Sequence, residues 1–391
     1  MIEMNGKKKI MFVATTPFAV NAFLRTHLLA LAKTYDVTLC VNTELYPLLD
    51  DIKRSVRVLH VNIHRKMAPW RDLLALFQLF RCFRSVRPYA VHSIMPKTGL
   101  LAMIAGVLAG VPLRFHTFTG QVWANKTGVG RMLLKGIDRL IVVCSTQVFA
   151  DSASQCAYLQ REGVVRSGGV SVIGGGSIAG VDLGRFRPDP GARSELRSAA
   201  GVATDVPVFL YVGRLARDKG VFDLVEAFAS LAKEHQDWDL WMVGPDEEAL
   251  QVGLERRATE LGGRVRFFPP TTQPERYMAA ADVFVLPSHR EGFGSVIIEA
   301  AACGVPAVAY RIDGVIDAVV ENRTGCLVDK GDISGLALAM QELGRNREER
   351  TRLGNSALAR VTAEFSSAAV SDAWRGFYAS VLDAAPVKVN A

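Results

Sequence analysis

The sequence predicts an α/β protein built from two doubly wound, parallel-sheet domains, and three observations carry that expectation. A chain of 391 residues is too long for one ordinary core, and its length favours two domains of about 200 residues or fewer. Short runs of apolar and β-branched residues alternate with helical patterns from end to end, as in parallel strands wrapped by helices. The series also starts twice, once near residue 10 and again near residue 208.

In the first series, strands are expected at Ile10–Val13, Val37–Val41, Val56–Val61, Ala90–Ile94 and Leu113–Thr117, with helices between them. The second runs through Val208–Val212, Leu240–Val243, Val265–Phe268, Val283–Leu286 and Ala307–Ala309. Between the two lies the most glycine-dense stretch, Val170 to Asp182, followed by Phe186-Arg187-Pro188-Asp189-Pro190, which reads as a linker. Gly174, Gly176 and Gly180 imitate a dinucleotide-binding fingerprint there. Pro188 and Pro190 interrupt the helix such a motif needs, and no following strand ends in the acidic residue expected about 20 positions on. The first domain is therefore assigned to residues 1–176 and the second to 177–365. A C-terminal helix over 366–391, with Trp374, Phe377 and Tyr378 on its apolar side, is expected to cross back to the first domain.

Composition bounds the function. With 49% hydrophobic and 22% charged residues and no low-complexity tract, the chain reads as a soluble globular enzyme with disorder confined to its termini. The net charge of +7 favours anionic partners, and many of the basic residues, among them Arg65, Lys66, Arg71, Arg81, Arg84 and Arg87, lie in the first half. Zinc-finger spacing, a helix-turn-helix signature and an aromatic RNA-binding motif are all missing, so nucleic acid is not an expected partner. Six scattered cysteines without a Cys-x-x-Cys pair read as reduced core thiols of a cytoplasmic protein. The start, Met1 to Lys9, leads into a strand without a small-residue cleavage site and makes a poor signal peptide. The longest uncharged stretch, Thr98 to Leu113, falls short of the roughly 18 residues a spanning helix needs and is broken by Gly106, Gly110 and Pro112.

The segment Ser288 to Glu299 carries the most chemistry. It begins where Val283–Leu286 ends at Pro287, passes through a glycine-rich turn, and enters an apolar run stopped by Cys303-Gly304-Val305-Pro306, a strand–loop–helix pattern. Glycines let backbone approach a ligand, Ser295 is placed to cap the helix, and the free first-turn amides suit a phosphate. Glu291 in the loop and Glu299 one turn inside the helix can grip hydroxyls on both sides of a diphosphate, as a sugar nucleotide requires. The same spacing equally suits one surface and one helix-face glutamate. A second loop, Gly213-Arg214-Leu215-Ala216-Arg217-Asp218-Lys219-Gly220, follows Val208–Val212 and precedes a helix, so that Arg214 and Lys219 stand at the ligand-binding edge of the second sheet. Two cations beside a helix start can hold a diphosphate and stabilise a leaving phosphate, although a solvated basic loop would look the same. The Gly-Lys-Ser/Thr order of a P-loop is missing.

Taken in order, Gly213-Arg214 with Lys219-Gly220, Ala281 to Ser288, Glu291-Gly292-Phe293-Gly294 with Glu299, Gly304 to Val308 and Gly325-Cys326-Leu327-Val328 make the chain resemble the retaining glycosyltransferases of family four. The match covers essentially the whole second half; the first half matches by architecture. The resemblance implies the GT-B fold, two Rossmann-like domains facing across a cleft, and more narrowly a bacterial transferase that extends lipid-linked oligosaccharides for surface glycans. It implies a donor site of Gly213, Arg214, Lys219, Phe268, Glu291, Gly292, Phe293, Gly294, Ser295, Val296 and Glu299. In it Arg214 and Lys219 would bind the diphosphate, Glu291 the sugar hydroxyls and Glu299 the ribose. Phe268 would lie near the base, and residues 293 to 296 would offer backbone contacts. The two glutamates would not act as a glycosidase pair; attack on the front face, with the leaving phosphate taking the acceptor proton, would give retention.

In the first half, His116, which ends a strand in Arg114-Phe115-His116-Thr117, takes by resemblance the role of a catalytic histidine at the donor sugar; without the resemblance a lone histidine is more often structural. Lys97 in Met95-Pro96-Lys97, and Asn21 in the loop after the first strand, are the candidate acceptor contacts. That loop, Thr15 to Asn21, departs from the double glycine common in the family. Asp237-Trp238-Asp239 invites a metal reading, yet it precedes a strand and the cations at Arg214 and Lys219 already supply positive charge, so neither metal nor cofactor is expected. From His64 to Arg87, Leu76, Leu79, Phe83 and Val86 form one helical stripe and Arg81, Arg84 and Arg87 a neighbouring one; a second basic stretch holds Trp123, Lys126, Arg131 and Lys135. Either the stripe meets an anionic headgroup layer or it packs on the first sheet.

The expected protein is thus a metal-independent transferase, peripheral at the inner face of the cell membrane. It would move a hexose or N-acetylhexosamine, from UDP by resemblance, to a polyprenyl-diphosphate-linked saccharide. A nucleotide-sugar epimerase or hydrolase of the same architecture, or a non-catalytic nucleotide-sugar-binding protein, are the alternatives.

Overall fold

The computed structural model describes residues 7–64, 68–232, 234–261 and 264–383. Arg65 and Lys66, the first six residues, and residues 384–391 of the expected C-terminal helix lie outside them.

Two compact units divide the chain: residues 1–179 with 367–391, and residues 180–366. The first unit holds a seven-stranded parallel sheet in the order β3-β2-β1-β4-β5-β6-β7, made of β1 (Lys9–Val13), β2 (Asp36–Val41), β3 (Arg57–His60), β4 (Ala90–Ile94), β5 (Leu113–Phe118), β6 (Gln147–Ala150) and β7 (Val170–Ser171). The second holds a six-stranded parallel sheet in the order β10-β9-β8-β11-β12-β13, made of β8 (Val208–Val212), β9 (Asp239–Val243), β10 (Val265–Phe268), β11 (Val283–Leu286), β12 (Ala307–Arg311) and β13 (Gly325–Asp329). In each sheet the chain runs outward in one direction and then returns to the other side of its first strand. The switch falls between β1 and β4, and between β8 and β11. In open α/β sheets a ligand binds at the carboxyl ends of such a pair.

Helices cover both faces of the first sheet. Arg25–Ala32, Asp50–Ser55 and Ser367–Asp383 bury Leu28, Ile52, Trp374 and Tyr378 against one face; Pro69–Val86, Pro96–Ala109 and Gly128–Cys144 bury Leu79, Phe83, Met103 and Ile141 against the other. The C-terminal helix is held by aromatic stacking and buried polar contacts. The Trp374 ring lies between His27 at 4.6 Å and His92 at 4.9 Å, and the Tyr378 hydroxyl meets His92 Nδ1 at 2.8 Å. Burial holds the His27 imidazole down at about 4 and pushes His92 well below its ordinary value, so both rings are neutral at physiological pH.

The structure corrects several expectations about this unit. Val170 and Ser171 form the edge strand β7, and Ile173 and Ile178 join the core, so the glycine-dense stretch is mostly first-unit structure, and the chain passes to the second unit near its end, between residues 179 and 180. Leu79, Phe83 and Val86 are buried against the sheet and only Arg81, Arg84 and Arg87 of the proposed pair of stripes are exposed. Trp123 is fully buried, stacked on Tyr158 at 5.5 Å with its Nε1 donating to Asp138 at 2.7 Å, while Arg131 and Lys135 both reach Glu162 at 2.8 Å. That stretch is a packed corner; its indole is unavailable to a headgroup layer.

Where the second unit begins and ends, Val181 bridges Ser366 and its amide donates to Phe365 O at 2.7 Å. The two ends of the 180–366 segment therefore meet.

Candidate functional site

The loops after β8 and β11 leave neighbouring strands at the second switch point, and the sequence ties them to one another. Gly220 adopts φ +67°, and a Cβ there would collide with the Pro287 carbonyl, so only glycine lets the two loops approach. His289 N donates to Asp218 O at 2.9 Å and Arg290 reaches the Asp218 carboxylate at 3.2 Å. On this frame Lys219 Nζ donates to Glu291 Oε1 at 2.7 Å. The cation expected on the diphosphate and the carboxylate expected on the sugar therefore share one place.

Arg214 stands in the same loop, its guanidinium 3.0 Å from Glu247 and 3.8 Å from Asp218, and its carbonyl accepts from the Tyr211 hydroxyl at 2.6 Å. Gly213 is pinned beside it: its N–H donates to Val243 O at 3.0 Å, and a Cβ at Gly244 would collide with its carbonyl. A Cβ at Gly314, which has φ +90°, would likewise collide with the Gly292 carbonyl. Phe293 is buried, edge-on to Phe365 at 5.2 Å, so it can offer a ligand only its backbone.

The helix Ser295–Ala302 starts differently from expectation. Gly294, at φ +79°, is the N-cap, and Ser295 is the first helical residue and makes no side-chain cap. Ile297 N donates to Gly294 O at 2.8 Å, which leaves the amides of Ser295 and Val296 ahead of the first helical hydrogen bond, where an anion is favoured. Glu299 is half-buried one turn on, and desolvation raises its carboxyl to about 7, opposed by Arg185 and reinforced by Glu275. Phe268, at the end of β10, packs on Tyr277 at 5.1 Å and Trp241 at 5.3 Å. It stands two strands away from β8.

Sequence reasoning missed three contributors to this site. Asp218 is the hub between the loops, Glu247 holds Arg214, and Ser288 is fully buried with an Oγ that has no partner among the described residues. Asp218 and Ser288 lie inside motifs already singled out. For Glu247 the signal was the acidic run Asp246-Glu247-Glu248 directly after β9.

In the first unit, Asn21 and Lys97 follow the switch strands β1 and β4, and His116 lies on the next strand, β5. Asn21 lies not in a loop but in the short helical segment Val20–Leu24; it donates to Pro47 O at 3.0 Å and accepts from Leu49 N at 3.2 Å, fastening that segment to the loop after β2. Lys97 follows Met95, whose φ of +75° is strained for a side chain of that size, and its Nζ lies 2.6 Å from Asp72. His116 sits within β5, fully buried. Its Nδ1 meets Ser93 Oγ at 2.9 Å, a Cβ on Gly99 would strike the ring, and burial pushes the imidazole down to about 3. Its Nε2 has no partner among the described residues, so the ring is neutral and shielded from solvent. The Asp237-Trp238-Asp239 run is also accounted for: Asp239 is fully buried and accepts from Arg266 Nε at 2.8 Å.

Comparison with known proteins gives the family and the fold. Residues 192–360 match the family model described as glycosyl transferases group 1, and residues 20–176 match the one described as glycosyl transferase 4-like domain. The chain is 34% identical over 311 residues to D-inositol 3-phosphate glycosyltransferase 2 of Catenulispora acidiphila, covering 72% of this chain and 71% of that protein. It is 28% identical over 323 residues to the capsular polysaccharide biosynthesis glycosyltransferase CapM of Staphylococcus aureus, covering 82% and 84%. Among solved structures, a sucrose-phosphate synthase from Thermosynechococcus elongatus superposes with a TM-score of 0.80 at 23% identity, over 97% of this chain and all of that one. HepE of Anabaena, solved with UDP, gives 0.76 at 21% identity over 95% of this chain and all of its own. These two likenesses speak to the fold.

Proposed function

Because the chain belongs to the family-four glycosyltransferases of GT-B fold, we propose that it transfers a sugar from a nucleotide-sugar donor to a polyprenyl-diphosphate-linked saccharide, in the building of a surface polysaccharide or related glycan. The observation that carries the donor half of this reading is the Lys219–Glu291 contact at 2.7 Å, held where β8 and β11 diverge and beside the open amides of Ser295 and Val296. A lysine there neutralises charge as the sugar–phosphate bond breaks, and the adjoining carboxylate accepts from sugar hydroxyls. Arg214 adds a second cation once the diphosphate displaces Glu247, and these two cations take the place that a metal ion fills in other transferases. Glu299, lacking a hydrogen-bond partner among the described residues, is left for the ribose.

UDP is the proposed carrier, in line with the UDP bound in HepE, and the sugar is a hexose or N-acetylhexosamine. Transfer retains the anomeric configuration: the acceptor hydroxyl attacks the face that the diphosphate leaves, and a departing phosphate oxygen takes its proton. Asn21 and Lys97 are the proposed acceptor contacts, Lys97 exchanging Asp72 for an acceptor phosphate. His116, buried in β5 with its Nδ1 at Ser93 Oγ, keeps a structural part there. The lipid-linked acceptor puts the reaction at the inner face of the cell membrane.

A panel of nucleotide sugars followed by thermal shift identifies the donor, because the cognate one stabilises the fold by mass action. Lys219→Ala and Glu291→Ala are each expected to abolish transfer in a folded protein. Near wild-type turnover in either would overturn the assignment. Conversion of the donor in the absence of any acceptor would point instead to an epimerase or hydrolase.

A further inference from the structure

The helices Pro69–Val86, Pro96–Ala109 and Gly128–Cys144 pack side by side on one face of the first sheet. Their inward residues belong to the core, so a solvent-facing layer should be polar on its outer side. It is not. On the first helix Trp70, Leu73, Leu74 and Phe77 follow the i, i+3, i+4, i+7 spacing of a single stripe and are all exposed, Trp70 by 81%. The stripe continues into Arg81 and Arg84, and the Arg81 guanidinium lies 5.8 Å from the centre of the Phe77 ring. On the third helix Val129, Met132, Leu133, Leu140 and Val143 form a second exposed stripe, Val129 by 81% and Met132 by 74%. Val107 and Leu108 are exposed on the helix between. These eleven are the majority of the nineteen large hydrophobic side chains exposed among the described residues, which makes the patch a property of this one layer.

The charges on the layer are equally one-sided. Its three helices contain two carboxylates: Asp72 is paired with Lys97 at 2.6 Å, and Asp138 is buried and bonded to Trp123 at 2.7 Å. The exposed charges are Arg71, Arg81, Arg84 and Arg139. A second copy of the chain docking through the same face would bring arginine against arginine without an acid to answer it. An anionic bilayer answers both features, since apolar side chains enter the headgroup–acyl boundary while arginines extend to lipid phosphates. Among the described residues no helix is long and apolar enough to cross a membrane, so docking would be to one leaflet.

We propose that this three-helix face is the surface by which the protein docks on an anionic bilayer. The purpose of the docking rests on the reading of the acceptor as lipid-linked. Each of these helices begins at the carboxyl edge of the strands, and the Lys97–Asp72 pair ties two of those beginnings together. Trp70, Leu73, Met132 and Leu133 therefore lie toward the edge where Asn21 and Lys97 stand, and a docked leaflet holds a headgroup-level acceptor close to it.

Flotation of the full-length protein with vesicles of phosphatidylcholine alone, or of phosphatidylcholine with phosphatidylglycerol, tests the surface. Binding is expected to the anionic vesicles at low salt and to weaken as salt rises, with a loss of about tenfold or more in Leu73→Asp/Met132→Asp and a reduced salt dependence in Arg81→Gln/Arg84→Gln. Unchanged melting and an unchanged thermal shift with UDP show that these exposed substitutions leave the fold and the donor site intact. Vesicle binding that survives Leu73→Asp/Met132→Asp overturns the proposal, as does a wild-type protein that ignores anionic vesicles. A wild-type dimer that the same double variant splits, with no vesicle binding, assigns the face to a second copy and also overturns it. Transfer to a detergent-dispersed acceptor by a protein that ignores vesicles would sink the docking alone; vesicle binding without any response to nucleotide sugars would sink the transferase reading alone.

Discussion

Gly220 is the residue on which the donor loops turn, because its left-handed backbone and the nearby Pro287 carbonyl leave no room for a side chain. Gly220→Ala is expected to cost about 2 kcal/mol or more, combining left-handed strain with a forced separation of the loops, and thermal denaturation would measure it. Nucleotide affinity should fall with stability, since the displaced loop carries Lys219. Glu299 makes a prediction of the opposite kind. Its carboxyl is raised from 4.5 to about 7, so its contribution to stability is full below about 4.5 and is lost as pH rises through about 7. Ribose hydroxyls favour the ionised form, so UDP affinity by calorimetry should tighten between about pH 6 and about pH 8, and Glu299→Gln should flatten that dependence. That Lys219 and Glu291 share one sheet edge was legible in the sequence because both follow strands, where parallel-sheet topology collects ligand groups; their direct contact was not. The burial of His116 was not: a residue near a strand end points into the fold or out of it according to register, which the sequence of one strand leaves open. Nor was the cap at Gly294, because Ser295 carries the capping chemistry but the chain turns left-handed one residue earlier.

At the scale of elements, the sheets were legible and their edges were not. The central strands are continuous apolar runs and announce themselves; β6, β7 and β13 were missed, and β7 has two residues within a glycine-rich stretch. The long helix Pro69–Val86 shows the complementary error, since its sequence carries apolar residues on more than one side and periodicity alone could not say which stripe the sheet would cover. The C-terminal helix was readable from Trp374, Phe377 and Tyr378, but not its seating between two histidines. Trp374→Ala is expected to destabilise the first unit by about 3–5 kcal/mol, the usual cost of emptying a buried aromatic site, as read by denaturant unfolding. His27 also makes this docking sensitive to acid. Its folded-state value lies below the ordinary 6.5, so the stability it supports is present above about 6.5 and is lost as pH falls through about 4. Unfolding of the first unit should become easier over that window, and His27→Phe should blunt the effect.

For the whole molecule, the two units each bury a core of their own, and the groups assigned to the donor all lie in residues 180–366. That segment is expected to fold when expressed alone and to bind UDP within about threefold of the intact chain, as measured by calorimetry. Loss of binding in a folded fragment would mean that first-unit residues share in holding the nucleotide. The bridge from Val181 to Ser366 adds a consequence for descent. A cassette whose entry and exit share one doorway can be traded between genes by two cuts that are far apart in sequence and adjacent in the fold, leaving the path of the host chain as it was. A lineage could in this way acquire a new nucleotide preference in one recombination while keeping the acceptor half it had already refined.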